Sequence, residues 1–288
     1  MSNMKRPMAL HHGGKFKLRH WVIEHFPAHR VYIEPFGGMA SVLLEKERAD
    51  LEVLNDLDHQ IVNLYRVMRD PVASTRLADE LRLTPYAREE FDAAYAVCSD
   101  PVEMARRYLV RAFMGFGANS ATCPYKNGFR SKRPDFKSPA YEFAAYPPHV
   151  EYFRERLAGV TIECKPALDV VERYDEPDAL IYVDPPYMPE TRIASQTMSY
   201  RHEMTVVDHE ILARTLRQAQ GMVVLSGYRC DAYDEWFRGW TRVDRDCWAE
   251  RAARRTESLW ISPRCEERLR REAEIRDANI LPLMRAVN

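Results

Sequence analysis

Nowhere in its 288 residues does this sequence hold about 18 consecutive apolar residues, which excludes an apolar membrane-spanning helix. The amino terminus, MSNMKRPMALHHGGKFK, lacks the hydrophobic core of a secretory signal. Six cysteines (Cys98, Cys123, Cys164, Cys230, Cys247 and Cys265) are scattered without a CxxC pair. That argues against a zinc site or a disulfide framework and for a reducing cytoplasm. His202 and His209 have acids nearby but not the HExxH spacing, so no metal is expected. GxGxxG is also missing, which weighs against a dinucleotide oxidoreductase. Formal net charge is only −1, so a polyanionic partner would have to be held by a local cluster of bases.

What is present is ordered around one stretch. Ala179 to Val183 (ALIYV) is an apolar run of strand length, and it ends abruptly in Asp184-Pro185-Pro186-Tyr187. Prolines cannot donate to a sheet ladder, so the strand stops there and the chain turns out at its carboxyl end. Carboxyl ends of strands in an open parallel sheet are where ligands bind. An ionised Asp184 only accepts hydrogen bonds, and the Pro185 carbonyl beside it has no neighbouring N–H, because Pro186 carries none. Two acceptors next to the flat ring of Tyr187 make a socket for an exocyclic amino group on a planar heterocycle. A plain strand-ending proline turn is the alternative.

Other segments supply the parts of a nucleoside site. His11 to Lys15 (HHGGK) is a glycine turn presenting Lys15, which by itself reads equally as an exposed lysine. Arg30 to Glu34 (RVYIE) predicts a strand, followed by the turn PFGGMA and a helix from Ser41. A strand, a small-residue turn and a helix let backbone amides approach a ligand closely. LEVLND predicts the second strand, ending in Asn55-Asp56, with a helix from Leu57 to Arg69. An acid about twenty residues beyond a glycine turn is placed to grip ribose hydroxyls, although Asp is also a good helix N-cap.

The strand–helix alternation then breaks. Pro71 to about Phe116 reads as helices, and GFGANSATCPYKNGFRSKRPDFKSPAY follows as a loop with a predicted β-hairpin at Asn127-Gly128. Lys126, Arg130, Lys132, Arg133 and Lys137 gather there with Tyr125, Phe129 and Phe136. This suits a nucleic-acid backbone, with a solvated loop as the plain alternative. Alternation resumes with a helix near His149 to Leu157, the strand GVTIEC, the helix ALDVVERY and the Asp184 strand. Met188 to Glu203 reads as a lid-like loop. Thr205-x-x-Asp208 predicts a capped helix to Gln220. A buried strand, MVVLS, then ends at Ser226-Gly227-Tyr228, and two more strands and a charged tail helix complete the chain.

GGK, EPFGGMASVLL, LNDLDHQIVNLYR, a helical insertion and DPPY, in that order, resemble the Dam-type (alpha-group) adenine-N6 DNA methyltransferases from about Gly13 to Ser262. The resemblance implies an α/β fold: a Rossmann-like S-adenosylmethionine-dependent methyltransferase sheet carrying an inserted, mainly helical target-recognition domain with a β-hairpin. It divides the chain into a catalytic domain, residues 1–71 and 150–288, and a recognition domain, residues 72–149. His11, Gly14, Lys15, Glu34, Phe36, Gly37, Gly38, Asp56, Cys164 and Asp184 would then bind S-adenosyl-L-methionine, leaving S-adenosyl-L-homocysteine as product. Asp184, Pro185, Pro186 and Tyr187 would be catalytic, and Asn119, Lys126, Arg130, Lys132 and Arg133 would contact DNA. Double-stranded DNA with a flipped-out adenine is the implied partner, with no metal and no membrane, and the protein is expected as a cytoplasmic monomer. Ala40 departs from a more usual glycine, His11 from a frequent aromatic, and Ser226-Gly227-Tyr228 from a Ser-Asn pair. Alternatives are methyl transfer to RNA adenine, cytosine N4 or protein glutamine, or a non-catalytic DNA-binding relative.

Overall fold

A computed structural model describes residues 4–123, 125–132, 138–191, 201–248 and 254–285. Among these, seven strands form one sheet: β1 (Val31–Glu34), β2 (Leu51–Asn55), β3 (Thr161–Glu163), β4 (Ala179–Val183), β5 (Met222–Tyr228), β6 (Thr241–Trp248) and β7 (Arg254–Ile261), in the order β3-β2-β1-β4-β5-β7-β6. The first five run parallel, and β7 lies antiparallel between β5 and β6. The strand order reverses between β1 and β4, so a crevice opens beyond their carboxyl ends.

Why β4 reads as an unbroken apolar run follows from its central place. Side chains alternate between the faces of a strand, and here both faces are covered. Leu180 and Tyr182 enter one apolar cluster, while Ala179, Ile181 and Val183 enter the other. The second cluster is closed by α9 (Ala167–Tyr174), α10 (Val206–Gln218) and α11 (Asp231–Trp236), through residues such as Val170, Leu212 and Tyr233.

The first face carries α1 (Arg19–Ile23), α2 (Ser41–Glu45), α3 (His59–Arg69) and α8 (His149–Leu157), together with the helices between β2 and β3: α4 (Pro71–Leu83), α5 (Arg88–Ala93), α6 (Pro101–Met114) and α7 (Pro139–Ala144). Leu77, Phe91, Leu109 and Phe143 of these helices belong to the same cluster as Tyr32 and Leu54 of the sheet. Asp70, Asp100 and Ser138 cap α4, α6 and α7, each followed by a proline whose missing N–H would have been orphaned there anyway. The predicted capping box of α10 is formed by Thr205 and Asp208. α12 (Pro263–Arg285) is the charged tail helix.

Two local expectations change. Among the described residues, the predicted hairpin at Asn127-Gly128 is a single antiparallel bridge, Gly115 with Phe129. The Asn127 side-chain amide donates to the Phe116 carbonyl at 3.0 Å and ties the loop to the residues just after α6. α11 was not expected, since six residues are too few to show a helical period.

Candidate active site

The carboxyl ends of β1, β2 and β4 surround a cavity of about 360 Å³. His11, Gly14, Lys15, Glu34, Phe36, Gly37, Gly38, Asp56, Asp184 and Pro186 all line it, so separate motifs of the sequence meet at one site.

The turn after β1 requires small residues at its tightest positions. A Cβ on Gly37 would lie 2.5 Å from the Tyr65 hydroxyl and 2.9 Å from the Asn55 carbonyl. Gly38 has φ +50°, and Ala40 takes the same left-handed conformation, which costs a non-glycine residue about 1 kcal/mol or more. The Tyr65 hydroxyl donates to the Gly38 carbonyl at 2.7 Å and pins the turn. Asn55, at the end of β2, braces three strand ends: its amide donates to the carbonyls of Pro35 and Lys165 and accepts from the Lys165 N–H.

Asp56 presents its carboxylate at the cavity wall, where it accepts from the backbone N–H groups of Gly38 (2.9 Å) and Asp58 (2.8 Å). Burial nevertheless raises it to about 6, because those two amides only partly replace lost water. Glu34 is more deeply buried and is pushed up to about 8, with the Tyr32 hydroxyl and the Leu43 N–H both donating to Oε2. His11, at the rim, is lowered to about 4 by desolvation and then by the neighbouring His12. The Ser41 hydroxyl is buried at the wall and finds no hydrogen-bond partner among the described residues.

Asp184 stands at the end of β4 within a polar cluster. Its Oδ1 accepts from Lys15 Nζ at 2.6 Å and from Ser226 Oγ at 2.9 Å. Ser226 spends its proton there, so it receives one from the Tyr182 hydroxyl, 3.1 Å away. No described residue donates to Asp184 Oδ2. Lys15 is buried, and burial opposes its charge. The carboxylates of Asp184 and Glu257 outweigh that and hold the ammonium well above the ordinary lysine range.

Tyr187 lies beside Lys15 with only 7% of its surface exposed. Its hydroxyl accepts from Lys15 at 2.6 Å and donates to Glu257 at 2.9 Å, and its ring packs on Tyr228 with centroids 4.4 Å apart. A base stacking on this ring needs part of that cover to give way.

Cys164 does not line the cavity; its Sγ sits 3.3 Å from His59 Nδ1, and the next four residues, Lys165 to Leu168, form the wall instead. Asn119, Lys126, Arg130 and Lys132, predicted as DNA contacts, do not line the cavity and lie on the loop between α6 and α7. Lys126 is exposed and pairs with Asp92 at 2.6 Å, Arg130 pairs with Glu142, and Lys132 is exposed. Asn119 accepts from Asn127, and Arg133 falls outside the described residues. Residues 192–200 of the lid-like loop also fall outside them; beyond that stretch, Arg201 pairs with Asp58 at 3.0 Å across the cavity mouth.

Sequence reasoning missed Asn55, Ser41, Arg201 and above all Glu257. The one local signal for Glu257 was an acid at the head of the predicted strand ESLWIS. Among the described residues no group of three or more His, Cys, Asp or Glu stands together that could hold a metal ion, and no helix is long and apolar enough to cross a membrane.

Comparison with known proteins bears on what this site does. Residues 11–247 match the family model described as D12 class N6 adenine-specific DNA methyltransferase. A DNA adenine methylase of Serratia marcescens is 27% identical over 242 residues, covering 78% of this chain and 84% of that protein. One from Vibrio cholerae serotype O1 is 26% identical over 236 residues (79% and 83%), and one from Escherichia coli K12 is 25% identical over 223 (73% and 74%).

Proposed function

This chain belongs to the D12 class of N6-adenine-specific DNA methyltransferases, and from that premise we propose how its residues divide the reaction. The activity is S-adenosylmethionine-dependent, site-specific methylation of adenine N6 in DNA.

The cavity fits the methyl donor on several counts. The Gly37 turn lets backbone approach a ligand closely, the Ser41 hydroxyl awaits a polar partner, and Asp56 has lone pairs left for ribose hydroxyls. Glu34, Phe36, Gly38 and His11 enclose the same space, and Lys165 to Leu168, the four residues after Cys164, complete its wall. S-adenosylmethionine supplies an electrophilic methyl group on a sulfonium.

The observation that carries the catalytic reading is the asymmetry of Asp184. Lys15 and Ser226 saturate Oδ1, so the carboxylate is fixed, while Oδ2 receives no hydrogen bond from any described residue. An adenine N6 amino group donating to Oδ2 and to the Pro185 carbonyl has its lone pair drawn out of conjugation and aimed at the methyl group. The displacement needs no covalent enzyme intermediate, and holding the reactants in line is the main lever. Flipping the base out of the duplex costs a few kcal/mol. Stacking on an aromatic ring returns about 1–3 kcal/mol, which assigns Tyr187 the role of capturing it. Residues 72–149 form the recognition unit, with Asn119, Lys126, Arg130, Lys132 and Arg133 toward duplex DNA.

Incubation with duplex DNA and methyl-labelled S-adenosylmethionine, followed by nucleoside analysis, tests this reading. N6-methyladenine in one short sequence context is the expected product. Asp184→Asn keeps the shape and removes the charge, and it is expected to slow transfer at least about 100-fold, as loss of a main electrostatic contact does. A wild-type rate in that variant would overturn the role of Asp184.

A further inference from the structure

We propose that Glu257 of β7 is the positioning residue of this site: it holds Lys15 and Tyr187 together so that Asp184 keeps one oxygen open for the target amino group. The proposal rests on the catalytic reading of Asp184 and Tyr187 given above.

The geometry is a closed triangle. Lys15 Nζ lies 2.6 Å from the Tyr187 hydroxyl and 3.2 Å from Glu257 Oε1, and the hydroxyl donates to that same oxygen at 2.9 Å. An ammonium has three N–H groups. Here one goes to Asp184 Oδ1, one to Tyr187 and one to the Gly13 carbonyl at 3.5 Å, while Glu257 holds the ammonium by charge at 3.2 Å. All three are committed, so Lys15 has no proton left for Asp184 Oδ2. Glu257 is 2% exposed and Lys15 4%, so water offers no substitute partner.

Neutralising Glu257 while Lys15 remains buried and charged leaves Asp184 as the only carboxylate at the ammonium. The ammonium is then drawn towards Asp184 alone, and its longest bond, to the Gly13 carbonyl, gives way to one with Oδ2, the oxygen that the amino group needs. The Tyr187 hydroxyl meanwhile loses its charged acceptor, and the ring loses the anchor opposite its packing on Tyr228.

Glu257 reaches this position through the sheet. It pairs with Tyr228 in the antiparallel β5–β7 ladder, one turn of the pleat away from the Ser226–Leu259 pair. Ser226 therefore meets Asp184 from β5 while Glu257 meets Lys15 and Tyr187 from β7.

Glu257→Gln, Tyr187→Phe and the double variant test the proposal, each assayed by single-turnover methyl transfer to duplex DNA at saturating S-adenosylmethionine. Rate constant and amplitude are read separately, with thermal melting and cofactor affinity alongside. Glu257→Gln is expected to lower the rate constant about 10- to 100-fold, the worth of a charged hydrogen-bond partner, while amplitude and cofactor affinity hold. Because both residues act through one triangle, the double variant is expected to be little slower than the slower single one.

A purely structural role would lower melting temperature and amplitude and leave the rate constant alone, which overturns the proposal. So would a wild-type rate in Glu257→Gln, or losses that multiply in the double variant. Should Glu257→Gln not fold, Tyr187→Phe alone decides: it keeps the ring, and an unchanged rate constant overturns the link. Absence of transfer by the wild-type protein would instead overturn the catalytic reading itself, a result distinct from any of these.

Discussion

Asp56 shows how one buried carboxylate couples cofactor capture to pH. Its pKa is raised to about 6, chiefly by burial. Below that value it carries a proton and offers ribose hydroxyls a weaker acceptor; above it the ionised form accepts both. Affinity for S-adenosylmethionine is therefore expected to weaken as pH falls from 7.5 to 5, and to do so much less in Asp56→Asn, whose amide does not titrate. Calorimetric titration at the two pH values checks this, and an equal fall in the variant would assign the effect to another group. Glu34, raised to about 8, titrates on the opposite side of neutrality, so a decline towards alkaline pH would belong to it and not to Asp56.

Elements are joined here by a buried ionic knot as well as by apolar packing. Glu52 of β2 accepts from Arg156 of α8 through both oxygens (2.6 and 2.8 Å) and from Lys46, just past α2, at 2.8 Å. Burial works against the Glu52 charge, but these partners outweigh it and hold the carboxyl below its ordinary range. Lys46 is itself lowered by burial, with Arg156 adding repulsion, so Arg156 is the partner that keeps Glu52 ionised. A carboxyl lowered in the folded state stabilises fully above its unfolded pKa, and that contribution is lost as pH falls through the lowered folded value. Glu52→Ala strands two buried cations and is expected to cost about 3–5 kcal/mol at neutral pH, measured by denaturant unfolding. The cost should shrink in acid, where the wild type loses the same contribution. A cost that does not change with pH would show that packing, and not the ion pairs, is what the variant lost.

At the scale of the whole molecule, a net charge of −1 means that DNA is not drawn in by the total field. Attraction has to come from local bases, and the two readings of the loop between α6 and α7 differ in a measurable way. Lys132 is exposed, whereas Lys126 is paired with Asp92 and Arg130 with Glu142. If phosphates bind this loop, Lys132→Ala should reduce the slope of log affinity against log salt by about 1. Arg130→Ala removes a base that is already paired with Glu142, so its loss of affinity is expected to be the smaller. Fluorescence anisotropy over a salt series separates the two, and slopes equal to the wild type would move the DNA surface elsewhere on the chain.

The run ALIYV closed by two prolines, the glycine turn after the first strand and the acid after the second were legible because each depends on neighbours along the chain. Side-chain period, missing N–H groups and small-residue turns are local properties, and they sufficed for the sheet's central strands, the capped α10 and the motifs that meet at the cavity wall. The hairpin at Asn127-Gly128 was expected from a local turn signal, whereas among the described residues Phe129 pairs with Gly115, fourteen residues back. Glu257 was missed for a stronger reason. Its partners Lys15 and Tyr187 lie far away in sequence, and only the antiparallel return of β7 beside β5 brings the three together. The sequence by itself determined which groups can accept, donate or turn. The tertiary structure alone decided which oxygen of Asp184 is already taken, because hydrogen-bond saturation is a property of the assembled site.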